Sequence, residues 1–304
     1  MPAPPTAHDK TAMRPESIDA VVDQITEVSS VPQVALKALE VARDPEAAAV
    51  DLSSVVEGDP ALCARVLRVA NSAAHGLRSK ITNIQQAVSY LGFSQVRDLA
   101  MTAWVCAVFN EDGTIGTYQR TKLWRHMVAV GVCSRLIASR LKLANFQDAF
   151  LAGLLHDIGI IFADQHVHYE FRTVIHELRD DRTLTEVEHE CLGFDHTILG
   201  ARVAAKWRFP APVQDAIRFH HASMRYDGRH SEIVQCVEIA NVICTLKNIT
   251  SVGRKLIRGP VAAMEGLRLQ GTDVAILAVD LDDELSRNEG LFGLWDMSDV
   301  EPLA

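Results

Sequence analysis

Twelve histidines are spread through the 304-residue chain, and several stand where an imidazole is expensive unless something binds it. His156 and Asp157 lie side by side in Leu154-Leu155-His156-Asp157-Ile158-Gly159, inside an otherwise apolar stretch. Burying such a pair costs free energy unless each member finds a partner. A metal ion satisfies both at once, and a mixed imidazole and carboxylate donor set suits Fe, Mn, Zn, Co or Ni rather than Mg or Ca. A lone His-Asp pair is equally what a helix end or a salt bridge leaves behind. The metal reading gains weight from His126, His196 and the adjacent His220-His221, all within segments of helical pattern. The adjacent pair also has a plain alternative, since a helix C-terminus favours histidine through its dipole. His75, His166, His168, His176, His189 and His230 belong to no matched pattern and read as surface or packing residues.

The elements that must carry these side chains are helical. Ile18, Val21, Val22, Ile25 and Val28 mark one face of an amphipathic helix. A second runs from Pro32 through Val34 and Leu39 and stops near Asp44-Pro45, where the residue before proline is pushed out of helical geometry. Asp51 reads as the cap of a short helix ending at Gly58, and Asp59-Pro60 opens the next, faced by Leu62, Val66, Val69 and Ala70. Ile84 to Leu91 and a helix capped by Ser94 complete a first group. Residues Asn110 to Thr117, rich in Gly and Asp, read as a linker or exposed loop.

Longer, more apolar segments follow: Leu123 to Leu141, Asp148 to Phe162, Tyr169 to Leu178, Thr185 to Cys191, His196 to Trp207, Pro212 to His221 and Glu232 to Leu246. Asp148 to Phe162 is apolar almost all round and reads as one buried helix. No run of strands is visible. The expected fold is all-α, with an N-terminal bundle over residues 15–110 and a second bundle from 116 to 304. A Pro- and Ala-rich lead over residues 1–14 is expected to be disordered. The tail from Gly253 on is expected to lie over the second bundle as short helices.

Composition narrows the function classes. A net charge of -9 argues against a protein that grips nucleic acid through its phosphates. Six cysteines without a CxxC pair suggest neither a disulfide framework nor a zinc ribbon, and read as free thiols in a reducing cytosol. The N-terminus lacks the basic-then-apolar layout of a signal peptide. No apolar run approaches the roughly 20 residues that span a bilayer. The expectation is a cytoplasmic protein without membrane contact.

His126, then His156-Asp157, resembles the HD superfamily of metal-dependent phosphohydrolases. The set His126, His156, Asp157, His196, His220 and His221 resembles the ligands of the HD-GYP branch, which hydrolyses cyclic di-GMP. Departures from that branch are clear. Lys122 and Asn241 stand where acidic ligands are expected, Ile160 replaces a lysine, and HHASMRYDGRHSE replaces the GYP loop. The N-terminal half, with its DPAL, ANSA and AVSYLG segments, is similar to HDOD domains, and the resemblance covers about Val21 to Leu246.

That resemblance implies a helical N-terminal bundle joined to an HD-like bundle, acting in bacterial signalling through protein partners and without demonstrated catalysis. It implies a pocket formed by the six ligands, bordered by Asn241 and holding at most one divalent transition metal (Fe, Mn, Zn or Ni), because an inward Lys122 would repel a second cation. Useful hydrolysis of cyclic di-GMP is not expected. Two alternatives stand beside this one: a residual metal-dependent phosphodiesterase or phosphohydrolase, and a second-messenger binder without turnover. The helix after Pro60 and the loop behind it offer Arg65, Arg68 and Arg78 as basic groups for an acidic partner. A solvated helix face is the plain reading of the same residues.

Overall fold

The computed structural model describes residues 17–28, 37, 40–41, 47–73, 80–109, 112–144, 146–253 and 259–295. The fold is all-α, as the periodicity predicts. Helices α1 (Ile18–Val28), α2 (Ala49–Glu57), α3 (Pro60–Ala73), α4 (Ile84–Leu91) and α5 (Phe93–Val108) come first. The expected disordered lead, the core of the Pro32–Leu39 segment and Arg78 lie outside the described residues. Asp51 is not the cap of α2. It sits one turn inside and accepts the Ala48 amide at 2.8 Å. α5 likewise starts a residue before Ser94, after Gly92.

The described part of the Gly- and Asp-rich segment, from residue 112 on, enters a small hairpin. Thr114–Ile115 (β1) and Tyr118–Gln119 (β2) pair antiparallel across a turn with Gly116 at φ 55. Tyr118 is buried there, donating to Asp164 Oδ2 at 3.0 Å. Two strands of two residues each give too little signal to show such a hairpin in advance.

The second bundle comprises α6 (Arg120–Arg140), α7 (Phe146–Leu155), α8 (Ile158–His166), α9 (His168–Glu177), α10 (Leu184–Leu192), α11 (His196–Lys206), α12 (Ala211–Phe219) and α13 (Ser231–Leu246). The expected single helix over Asp148 to Phe162 is in fact two, broken at His156-Asp157. Gly159 lies so close to the start of α11 that a Cβ there would stand 2.0 Å from the His196 carbonyl oxygen. Only glycine fits at 159 with the two backbones this close.

Phe146–His166 is, by length and composition, apolar enough to cross a membrane, contrary to the expectation that no run would be. It is 83% buried inside the bundle and interrupted by the turn, which is the character of a core element.

The tail folds as α14 (Val261–Gly266), α15 (Gly271–Arg287) and α16 (Glu289–Phe292). It covers α6 and α13 and also reaches α3 and α5. One apolar core runs through both bundles. Trp104 of α5 meets Trp207 and Phe209 at ring-centroid distances of 5.9 and 5.6 Å. Helix α1 packs on α8 and α11, with Asp19 and Asp23 paired to Arg202 and Lys206. The N-terminal helix therefore braces the two helices whose first residues flank the His-Asp turn and His196.

Candidate metal centre

Asp157 lies at the bottom of a cavity of roughly 230 Å³, ringed by imidazoles from four different segments. α6 brings His126, whose Nε2 lies 3.5 Å from Asp157 Oδ2. The turn between α7 and α8 brings His156, its Nε2 3.3 Å from the same oxygen. The other oxygen, Oδ1, faces His196 Nε2 at 3.4 Å and His220 Nε2 at 3.3 Å. His221 stands on the exposed side, its Nε2 3.2 Å from that of His196. All six predicted ligands therefore meet in one place, and Asn241 lines the same cavity from α13.

Local structure fixes the direction of each ring. His126 Nδ1 donates to the Ile249 carbonyl at 2.8 Å, and His156 Nδ1 to the Gly153 carbonyl at 2.7 Å. His220, which ends α12, donates from Nδ1 to the Ile217 carbonyl at 3.0 Å. A carbonyl only accepts, so Nδ1 carries a proton in each ring and Nε2 is the atom turned to Asp157. His196 opens α11 because Asp195 caps that helix, accepting the Thr197 and Ile198 amides at 2.9 and 3.0 Å. Its Nδ1 is 2.6 Å from Glu188 Oε2, which also accepts the His196 amide at 3.1 Å.

The electrostatics prepare two of the imidazoles and the carboxylate for a cation. Burial pushes His126 and His220 down to about 4, leaving both neutral and able to donate a lone pair. Burial opposes charge on Asp157 too, but the surrounding imidazoles, His156 foremost, outweigh it and hold the carboxyl well below its usual range. Burial also works against a charged His196, yet the Glu188 carboxylate prevails and pushes it up to about 9, so a cation that binds there must displace a proton from His196.

His156 Nε2, His220 Nε2 and Asp157 Oδ1 are buried without a hydrogen-bond partner. Orphans of this kind are rare in folded proteins, and a bound ion is one of their few explanations. The spacing fits that explanation. Donor atoms bound about 2.1 Å from one cation stand about 3.0–3.4 Å apart, close to the nitrogen–oxygen separations at Asp157 and the His196–His221 separation. Two sets of donors qualify, Asp157 with His196, His220 and His221, and Asp157 with His126 and His156. Lys122 is exposed and absent from the cavity wall, so the expected repulsion of a second cation does not arise from it.

Glu188 is a functional residue that the histidine pattern does not reveal. It is fully buried on α10 beside Val187, in the stripe Leu184, Val187, Glu188, Cys191, Leu192. An acid at a core position of a helical stripe is the signal that could have revealed it. Of the other predicted residues, Arg65 is half-buried and donates to the Ala103 carbonyl at 3.3 Å, while Arg68 is exposed. Asn71 of the ANSA segment serves the fold, binding the Ile81 amide and carbonyl at 2.8 and 2.9 Å.

With this geometry in view, the chain matches the model of the HDOD domain over residues 28–223. It belongs to the HDOD family. It is similar to an HDOD domain protein of unknown function from Geobacter sulfurreducens, with a TM-score of 0.75 and 24% identity over 90% of this chain and 97% of that one. A candidate phosphohydrolase from Shewanella amazonensis SB2B aligns with a TM-score of 0.71 and 21% identity, covering 91% of this chain and 98% of the other. At such identities these likenesses speak for the fold. An uncharacterized protein of Treponema pallidum (strain Nichols) is 23% identical over 73% of this chain, which spans only 43% of that relative's length.

Proposed function

We propose that this protein is a cytoplasmic regulatory protein of bacterial signalling whose HD-like pocket holds a divalent transition metal, with output carried by contacts to a protein partner. One observation supports it above the rest: four imidazole Nε2 atoms aimed at a single buried carboxylate that has an orphaned oxygen. His126, His156, Asp157, His196, His220 and His221 would hold the metal, and Asn241 would border it as a neutral amide. Fe, Mn, Zn and Ni all suit this donor set. The six free cysteines fit a reducing compartment. Arg68, together with Arg78, remains the proposed basic contact for an acidic partner, whereas the Arg65 guanidinium is already bonded within the fold.

A second reading, metal-dependent phosphoester hydrolysis, is favoured by the cavity itself, which opens over Asp157 and is walled by Arg225, Glu238 and Thr250. A bound divalent metal supplies Lewis acidity and an activated water. The residues of the chain would do the rest: the imidazoles hold the centre, Asp157 anchors it, and Arg225 offers a guanidinium to an anionic group at the mouth. Purified protein incubated with cyclic di-GMP and Fe or Mn separates the two readings. The regulatory reading expects no linear product, and turnover that is lost in His156→Ala would promote the hydrolase.

A further inference from the structure

The donors around Asp157 form two halves that the protein supports differently. On the Oδ2 side stand two imidazoles, His126 and His156, each backed at Nδ1 by a neutral backbone carbonyl. On the Oδ1 side stand three, His196, His220 and His221. Within that half His196 alone is backed by a carboxylate. Glu188 accepts from both its ring and its amide, and Glu188 is itself fully buried with its second oxygen, Oε1, unpartnered. A carboxylate behind a ligating imidazole makes the ring a stronger donor and fixes its orientation. Nothing comparable stands behind the other half among the described residues.

Resting on the metal reading above, we propose that Glu188 is a positioning residue that makes the centre unequal, so that the His196–His220–His221 half takes its cation first and tightly while the His126–His156 half fills second and weakly. The numbers of protein donors point the same way. The Oδ1 half offers four ligand atoms, a complete tetrahedral shell, and the Oδ2 half three.

The test is a titration of chelator-treated full-length protein with Zn(II), followed by calorimetry and by metal analysis after dialysis, and repeated with Co(II) to read its visible absorption. Wild type should bind in two separable steps. Glu188→Gln keeps the shape of the side chain and should weaken the first step by about tenfold to a hundredfold, leaving the second unchanged. His156→Ala should remove the second step and keep the first. His221→Ala, at an exposed position, serves if the buried glutamine variant fails to fold, and should weaken the tight step alone. A single step in wild type, equal weakening of both steps in Glu188→Gln, or loss of the tight step in His156→Ala overturns the proposal. Absence of any binding by folded wild-type protein would instead refute the metal reading on which it rests.

Discussion

Two buried aspartates with nearly the same exposure separate structural charge from a site. Asp98 lies where the bundles meet. Its Oδ1 accepts from Arg97 Nε and a terminal nitrogen at 2.9 and 2.6 Å, and its Oδ2 from Arg135 at 3.2 Å. Arg97 goes on to the Gln147 carbonyl and Arg135 to Asn288, so the network closes on protein atoms. Asp157 is as deeply buried, but its surroundings are imidazoles whose outer nitrogens are already spent, and one of its oxygens has no donor. Burial of a carboxylate therefore says little about function by itself. An arrangement that would be closed by one more positive centre says a good deal.

That contrast can be broken by removing each side chain in turn. Asp98→Ala leaves two guanidiniums facing each other at a buried interface and should cost about 3–5 kcal/mol of stability, read from urea unfolding, with metal content unchanged. Reduced metal content in the folded variant would mean that the interface and the centre are coupled. Next in size, metal at about 100 times its Kd should stabilise the native protein by about 2.7 kcal/mol. The accompanying rise in Tm should persist in Asp98→Asn and vanish in Asp157→Asn. A rise that survives in Asp157→Asn would place the binding elsewhere.

The pH dependence of the metal-free protein should be smaller, because the imidazoles share one carboxylate and titrate as a set. His126 and His220 stand at about 4 in the folded state against about 6.5 unfolded. The unfolded chain thus binds more protons between those values, and stability should fall as pH drops from about 6.5 toward 4. His196 acts with the opposite sign. Raised to about 9, its contribution is complete below about 6.5 and is lost as pH rises through 9. Thermal unfolding across this range checks both limbs, and a profile flat on the acid side would contradict the neutral state of His126 and His220. Arg68→Glu should change stability by no more than about 0.5 kcal/mol. Its readout is capture of partners from the native cell at matched Tm, and unchanged capture would move the docking surface off α3.

Much of this was visible in the chain and some was not, for identifiable reasons. The ligand set could be read because histidines in apolar helical segments are conspicuous, and their convergence required only that those segments pack together. The turn at His156-Asp157 was hidden because apolar residues continue on both sides, so the apolar pattern runs through the break. α1 shows an amphipathic stripe, but a stripe does not say what it faces, and here it faces α8 and α11 of the second bundle. Glu188 was hidden among the exposed acids of its helix, although its position in the stripe marked it. Lys122 illustrates the converse: its charge was legible, its outward direction was not.

The most direct test of the centre is the metal content of freshly purified protein by mass spectrometry, with wild type and Asp157→Asn prepared side by side. Wild type should carry a first-row divalent metal in stoichiometric amount, and the asparagine variant, equally folded by circular dichroism, almost none. A wild-type protein that stays metal-free after exposure to Zn, Mn, Fe and Ni, or an asparagine variant that holds as much metal as wild type, would contradict the account.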